Sequence, residues 1–148
     1  MAITDSREVV IAATPAEVLT VLLDLESLPE WSALHDKIEI LQRDEQGRPR
    51  QCRQTVKVMG ATDEQLVEYF LHDDGLSWNL LSAKQLRSQR GRYTLTPEGD
   101  STRVLLELAV DLVPPVPGFL VRKATQWLMR AATDGLRQRV LDVQDAGS

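Results

Sequence analysis

The sequence has little of what would staple a fold or carry metal chemistry. It holds a single cysteine, Cys52, so no internal disulfide can form, and one free thiol suits a reducing compartment. Two histidines, His35 and His72, stand apart with no ligand-spaced cluster around them, which argues against a metal site. No motif asks for an organic cofactor. Aromatic residues make up only 5%, so each of Trp31, Trp78 and Trp127 carries weight in any reading of core or site. No uncharged apolar stretch approaches the roughly 18 residues of a membrane helix, which excludes stable membrane insertion. The opening MAITDSREVV lacks a basic segment leading into an apolar run, so no signal peptide is expected and the chain reads as cytoplasmic. Positive charge is in deficit, with 17 Lys and Arg against 22 Asp and Glu, a net charge of -5. That balance argues against DNA or another nucleic acid held by bulk charge.

What is present is ordinary globular material. At 148 residues and 43% hydrophobic, residues 1–148 suffice for one domain with its own core, with about 145–148 read as a flexible tail. Val and Ile enrich Asp5–Ala13, the pattern of a first strand. Thr14-Pro15-Ala16-Glu17 then supplies an N-cap, a proline where its missing N–H costs nothing, and an acid that can return a bond to the cap. Val18, Leu19, Leu22 and Leu23 follow at helical spacing to about Asp24. Pro29 forces Leu25–Trp31 into a second short helix or bend. From Ile38 to Leu112 strands alternate with turns at Asp44–Arg48, Met59–Asp63, His72–Gly75, Ala83-Lys84 and Pro97–Asp100. Val113-Pro114-Pro115-Val116-Pro117-Gly118 stops the sheet. A long helix over Phe119–Val143 carries a stripe of Leu120, Ala124, Trp127, Leu128, Ala131, Gly135, Leu136, Val140 and Val143. A twisted meander of this kind must bury the helix on one face, and the two can gape to leave a cavity.

In this order and spacing, several short motifs resemble the START-like, helix-grip (SRPBCC) superfamily, and within it the small bacterial polyketide cyclase/dehydrase and coenzyme-Q-binding branch. They are Thr14-Pro15-Ala16-Glu17-Val18, Asp24–Trp31, Leu76-Ser77-Trp78, Tyr93–Pro97, Ser101–Val104 and Pro114–Phe119. The resemblance spans nearly the whole chain. It implies an α+β helix-grip fold: a curved antiparallel sheet of about seven strands wrapped around the long C-terminal helix, with two short helices after strand 1. It also implies a hydrophobic small molecule held between sheet and last helix.

The Pro97–Asp100 turn assigns faces. Pairing Thr96 with Ser101 sets Arg87, Gln89, Gly91, Tyr93 and Leu95 beside Thr102, Val104, Leu106, Leu108 and Val110, an apolar and therefore inward face. Across His72–Gly75, Val67, Tyr69 and Leu71 share a face with Leu76, Trp78 and Leu80. On the preceding strand Cys52, Gln54 and Val56 point inward, unless a one-residue slip brings in Arg53 and Thr55. The candidate ligand-binding set is thus Trp31, Gln54, Val67, Tyr69, Trp78, Leu80, Arg87, Gln89, Tyr93, Leu106, Phe119 and Trp127. Arg87 suits ligand oxygens through its planar guanidinium, against an alternative in which it snorkels to water; with Tyr93 it is the candidate for a catalytic role. Trp31 is either a wall of the cavity mouth or an anchor of the bend. His35, four residues on, is either an acid/base at that mouth or a loop histidine in solvent.

Three functions fit these residues. The first is binding of a lipid, isoprenoid quinone or polyketide-like molecule. The second is a metal-free aromatase/cyclase-dehydratase acting on a poly-β-ketone chain, which needs an acid/base and a group to polarise a carbonyl. The third, implied by a related branch, is a ribosome-association toxin or other protein-partner module leaning on the arginines of Arg48–Arg53 and the last helix. Leu66, Phe70 and Leu81, if outward, suggest a homodimer surface.

Overall fold

The computed structural model describes residues 3–32, 34–58, 60–112 and 117–147. The strands are β1 (Ile3–Ile11), β2 (His35–Arg43), β3 (Pro49–Val58), β4 (Ala61–His72), β5 (Gly75–Ser82), β6 (Leu86–Glu98) and β7 (Ser101–Leu112). They form one antiparallel sheet in the order β1-β7-β6-β5-β4-β3-β2. Between β1 and β2 come α1 (Pro15–Leu23), a 3-10 turn over Leu25–Ser27 and α2 (Leu28–Trp31); α3 (Gly118–Gly147) closes the chain. This is the curved, helix-gripping α+β architecture expected from the sequence.

Local chemistry explains the elements. Thr14 Oγ1 accepts the Glu17 N–H at 3.2 Å while Glu17 accepts the Thr14 N–H at 3.1 Å, so the expected capping box closes α1. The β6–β7 hairpin turns on Gly99-Asp100 and pairs Glu98 with Ser101. That register differs by two residues from the Thr96–Ser101 pairing read from the sequence. An even shift leaves every side chain on its assigned face, and Tyr93, Leu95, Val104, Leu106 and Leu108 are buried together. On β3 the register falls to Cys52, Gln54 and Val56, all buried, with Arg53 exposed.

Two readings of the helix are corrected. The buried stripe of α3 is Val121, Thr125, Met129, Thr133, Leu136 and Val140, whereas Leu120, Trp127 and Val143 are exposed. The stripe rotates because Thr125 and Thr133 can enter the core, their hydroxyls donating to the Val121 and Met129 carbonyls at 2.7 and 2.9 Å. α3 also continues through Asp145–Gly147, where the sequence suggested a tail. Of the segment expected to stop the sheet, Val113–Val116 lies outside the described residues.

α3 is fastened along its C-terminal half. Arg7 of β1 donates to Thr133 at 2.8 Å and pairs with Asp134; Arg139 faces Glu30; Gln144 donates to the Ala12 carbonyl and to Glu17. Met129, Leu136 and Val140 pack with Val18, Val21 and Leu22 of α1 in the main core. The N-terminal half stands over the sheet with Val121, Ala124, Thr125, Leu128 and Ala132 toward it, and space is left between the two.

Candidate functional site

That space is a cavity of about 510 Å³. Its floor is the inner sheet face, including Gln54, Gln65, Tyr69, Trp78, Gln89, Tyr93 and Leu106; its roof is Val121, Ala124, Thr125, Trp127, Leu128 and Ala132 of α3. Leu22, Leu25, Leu28 and Trp31 close one side, and Leu34, His35, Lys57, Gly60, Leu86 and Leu112 complete the lining. The exposed Lys57, Gly60 and Trp127 mark the mouth.

Polar groups on the floor satisfy one another in a chain. The Tyr69 hydroxyl donates to Gln54 Oε1 at 3.2 Å, and Gln54 Nε2 donates to Gln65 Oε1 at 3.3 Å, all three residues buried. The Trp78 indole N–H donates to Gln89 Oε1 at 3.2 Å, and the ring lies between Tyr69 and Tyr93 at centroid distances of 6.3 and 5.6 Å. Burial pushes both tyrosine hydroxyls well above their ordinary range, so they stay protonated donors. Burial raises the Cys52 thiol to about 11, which removes it as a nucleophile.

The side wall is different. Trp31 Nε1 is buried without a hydrogen-bond partner among the described residues. Such a buried, unpaired donor costs about 1–3 kcal/mol. Its indole packs against α3 at Gly135, where a Cβ would lie 3.0 Å from the Trp31 carbonyl oxygen. His35 Nδ1 lies 2.7 Å from Ser32 Oγ, and burial lowers the imidazole to about 4, against which Asp36 pulls only weakly. His35 is therefore a neutral group of the cavity wall. Pairing of His35 with Val56 at the start of β2 places it at the cavity and not in a solvent-facing loop, the two positions its sequence left open.

Eight of the twelve candidate residues line the cavity: Trp31, Gln54, Tyr69, Trp78, Gln89, Tyr93, Leu106 and Trp127. Val67 packs in the core without reaching it, and Leu80 lies partly buried against that core. Phe119 points outward at 64% exposure. Arg87 is exposed as well, because an irregularity between Leu86 and Ser88 breaks the alternation and turns it out of the inward row. Gln65 and the α1-side leucines were missed. Alternation from Tyr69 through Val67 would have reached Gln65; the leucines carry no signal beyond ordinary core spacing. Buried Asp63, one step further along, accepts the backbone N–H groups of Lys84 and Gln85 at 3.0 and 3.2 Å, pinning the β5–β6 loop at the rim.

Elsewhere, the cations of Arg48–Arg53 are engaged: Arg48 with Asp44, Arg53 with Glu39 and Glu64, and Arg50 over the Phe70 ring at 4.6 Å. Leu66 and Phe70 are half-buried and Leu81 is exposed. No helix among the described residues is long and apolar enough to cross a membrane.

A family model described as polyketide cyclase/dehydrase and lipid transport matches residues 3–141. Among solved structures, a START superfamily protein from Mycobacterium smegmatis is 26% identical with a TM-score of 0.89, over 95% of this chain and 98% of that one. A protein of Thermus thermophilus is 27% identical with a TM-score of 0.80, over 95% and 99%. The Zhui aromatase/cyclase from Streptomyces sp. R1128 is 15% identical with a TM-score of 0.82, over 95% and 94%, a likeness of fold. No curated protein matches the chain.

Proposed function

The chain belongs to the polyketide cyclase/dehydrase and lipid transport family, and from that premise we propose that it holds one uncharged, largely apolar small molecule carrying oxygen, of lipid, isoprenoid quinone or polyketide type, between the sheet and α3. The observation that carries this reading is the cavity itself, about 510 Å³ and apolar over most of its lining. That volume falls in the range of small-molecule sites, roughly 300–1,000 Å³. The polar groups around it support an uncharged ligand. Tyr69, Tyr93 and His35 are held neutral, and the Lys57 ammonium lies 3.7 Å from Asp36. A bound carboxylate would find no buried cation among the described lining residues. A ketone, quinone or hydroxyl oxygen would instead meet neutral hydroxyl and amide groups of the floor, set among apolar side chains.

A second reading, closure and dehydration of a poly-β-ketone, is favoured by one observation. His35 is kept neutral beside Ser32 in the cavity wall, where an uncharged imidazole can accept a proton. Arg87, exposed at the start of β6, has no part in either reading.

Native mass spectrometry of gently purified protein, followed by solvent extraction, tests the first reading. One apolar adduct per chain is expected, or, for protein recovered empty, quenching of tryptophan emission by an added quinone or aromatic polyketide. Empty protein that none of quinone, fatty acid and aromatic polyketide perturbs would overturn it. Turnover of a poly-β-ketone, abolished by His35→Gln with binding retained, would move the second reading to the front.

A further inference from the structure

The N-terminal half of α3 leaves bare an amphipathic face on its outer side. Phe119, Leu120 and Trp127 are 64%, 40% and 60% exposed, among the most exposed large apolar side chains described. Phe119, Lys123, Trp127 and Arg130 recur at helical spacing and so share one face, with Leu120 at its edge. Arg122 stands beside it, and no Asp or Glu occurs between Gly118 and Thr133. Among the described residues, the ion pairs of α3 begin only beyond it, at Asp134 and Arg139. A chain with net charge -5 thus gathers cations and bare aromatics on one helical face.

We propose that this face docks the protein on an anionic lipid bilayer, with Phe119, Leu120 and Trp127 entering the headgroup boundary and Lys123 and Arg130 on lipid phosphates. Aromatic and Leu side chains interleaved with Lys and Arg are what an interfacial helix requires. Charge decides against a second copy of the chain, because a twofold contact through this face would oppose Lys123 and Arg130 to themselves. Position supports the bilayer further: Trp127 belongs both to this face and to the cavity lining, so the docked helix sets the cavity mouth at the membrane surface. The docking does not depend on what the cavity holds.

The test is flotation with vesicles of phosphatidylcholine mixed with phosphatidylglycerol, against vesicles of phosphatidylcholine alone. Expected are binding to the anionic vesicles, a blue shift of tryptophan emission as Trp127 leaves water, and release at high salt. Lys123→Gln with Arg130→Gln should weaken binding about thirty-fold, given about 1 kcal/mol per basic residue near an anionic surface. Phe119→Ser should weaken it further. These positions are exposed, so the variants should melt as the parent does. Protein that stays in the aqueous phase with both vesicles, or variants that bind as tightly as the parent, would overturn the proposal, as would binding only to an acidic soluble protein.

Discussion

His35 shows how much one side chain's surroundings decide. Its sequence leaves open a group at the cavity mouth or a loop histidine in solvent; the fold buries it against the cavity and lowers its pKa from 6.5 to about 4. Between those values the unfolded chain binds a proton that the folded chain refuses, so stability falls as pH drops through that window. The contribution is fully present above pH 6.5. Because the ring keeps part of its surface toward the cavity, the loss is at most about 3 kcal/mol. Urea denaturation at pH 7, 5.5 and 4.5 should therefore show falling midpoints, and His35→Gln should flatten that fall. An unchanged slope in the variant would assign the acid sensitivity to other groups.

At the scale of one element, β6 shows why alternation is a good guide with a defined failure point. From Gly91 to Leu95 the inward row holds, and Gly91 has a specific part in it. A Cβ there would lie 2.0 Å from the Trp78 ring, so glycine is what lets the indole lie flat on the neighbouring strand. Gly91→Ala should cost about 1–3 kcal/mol as the ring is displaced, and should break its bond to Gln89. Loss of the near-ultraviolet tryptophan circular dichroism together with a lower urea midpoint is the expected result; a variant with both intact would mean that Trp78 is held by something other than this contact. Toward its N-terminal end the same strand slips, and Arg87 leaves the inward row. The sequence carries no glycine or proline there to announce the irregularity.

Across the whole molecule, α3 is clamped at one half and roofs the cavity with the other, which separates stability from binding. Filling the cavity should therefore remove binding without unfolding the protein. Ala132→Trp places an indole in the cavity from the roof. We expect the variant to retain its fold, with unfolding free energy within about 1.5 kcal/mol of the parent, because the added volume enters existing space. It should lose at least about ten-fold in affinity for whatever ligand extraction identifies, equal to about 1.4 kcal/mol. Calorimetric titration of parent and variant with that ligand is the check. Undiminished affinity would put the ligand elsewhere, with the open polar depression around Ser77, Asn79 and Arg92 on the opposite sheet face as the next place to look.

The sequence by itself determined the element order, the capping box of α1, the tight turns and the inward rows of β4, β5 and β7. Each rests on a local rule: alternation with period two, helical spacing, or a residue whose backbone fits a turn. Tertiary structure alone decided which face of α3 is buried, that Arg87 turns outward, that His35 and Gln65 meet the cavity, and that there is a cavity at all. The physical reason is common to all four. A threonine can enter a core once its hydroxyl finds the carbonyl one turn back, and a strand can absorb an extra residue at little cost. A helix fastened along one half can stand off the sheet along the other, and such choices depend on partners distant in sequence.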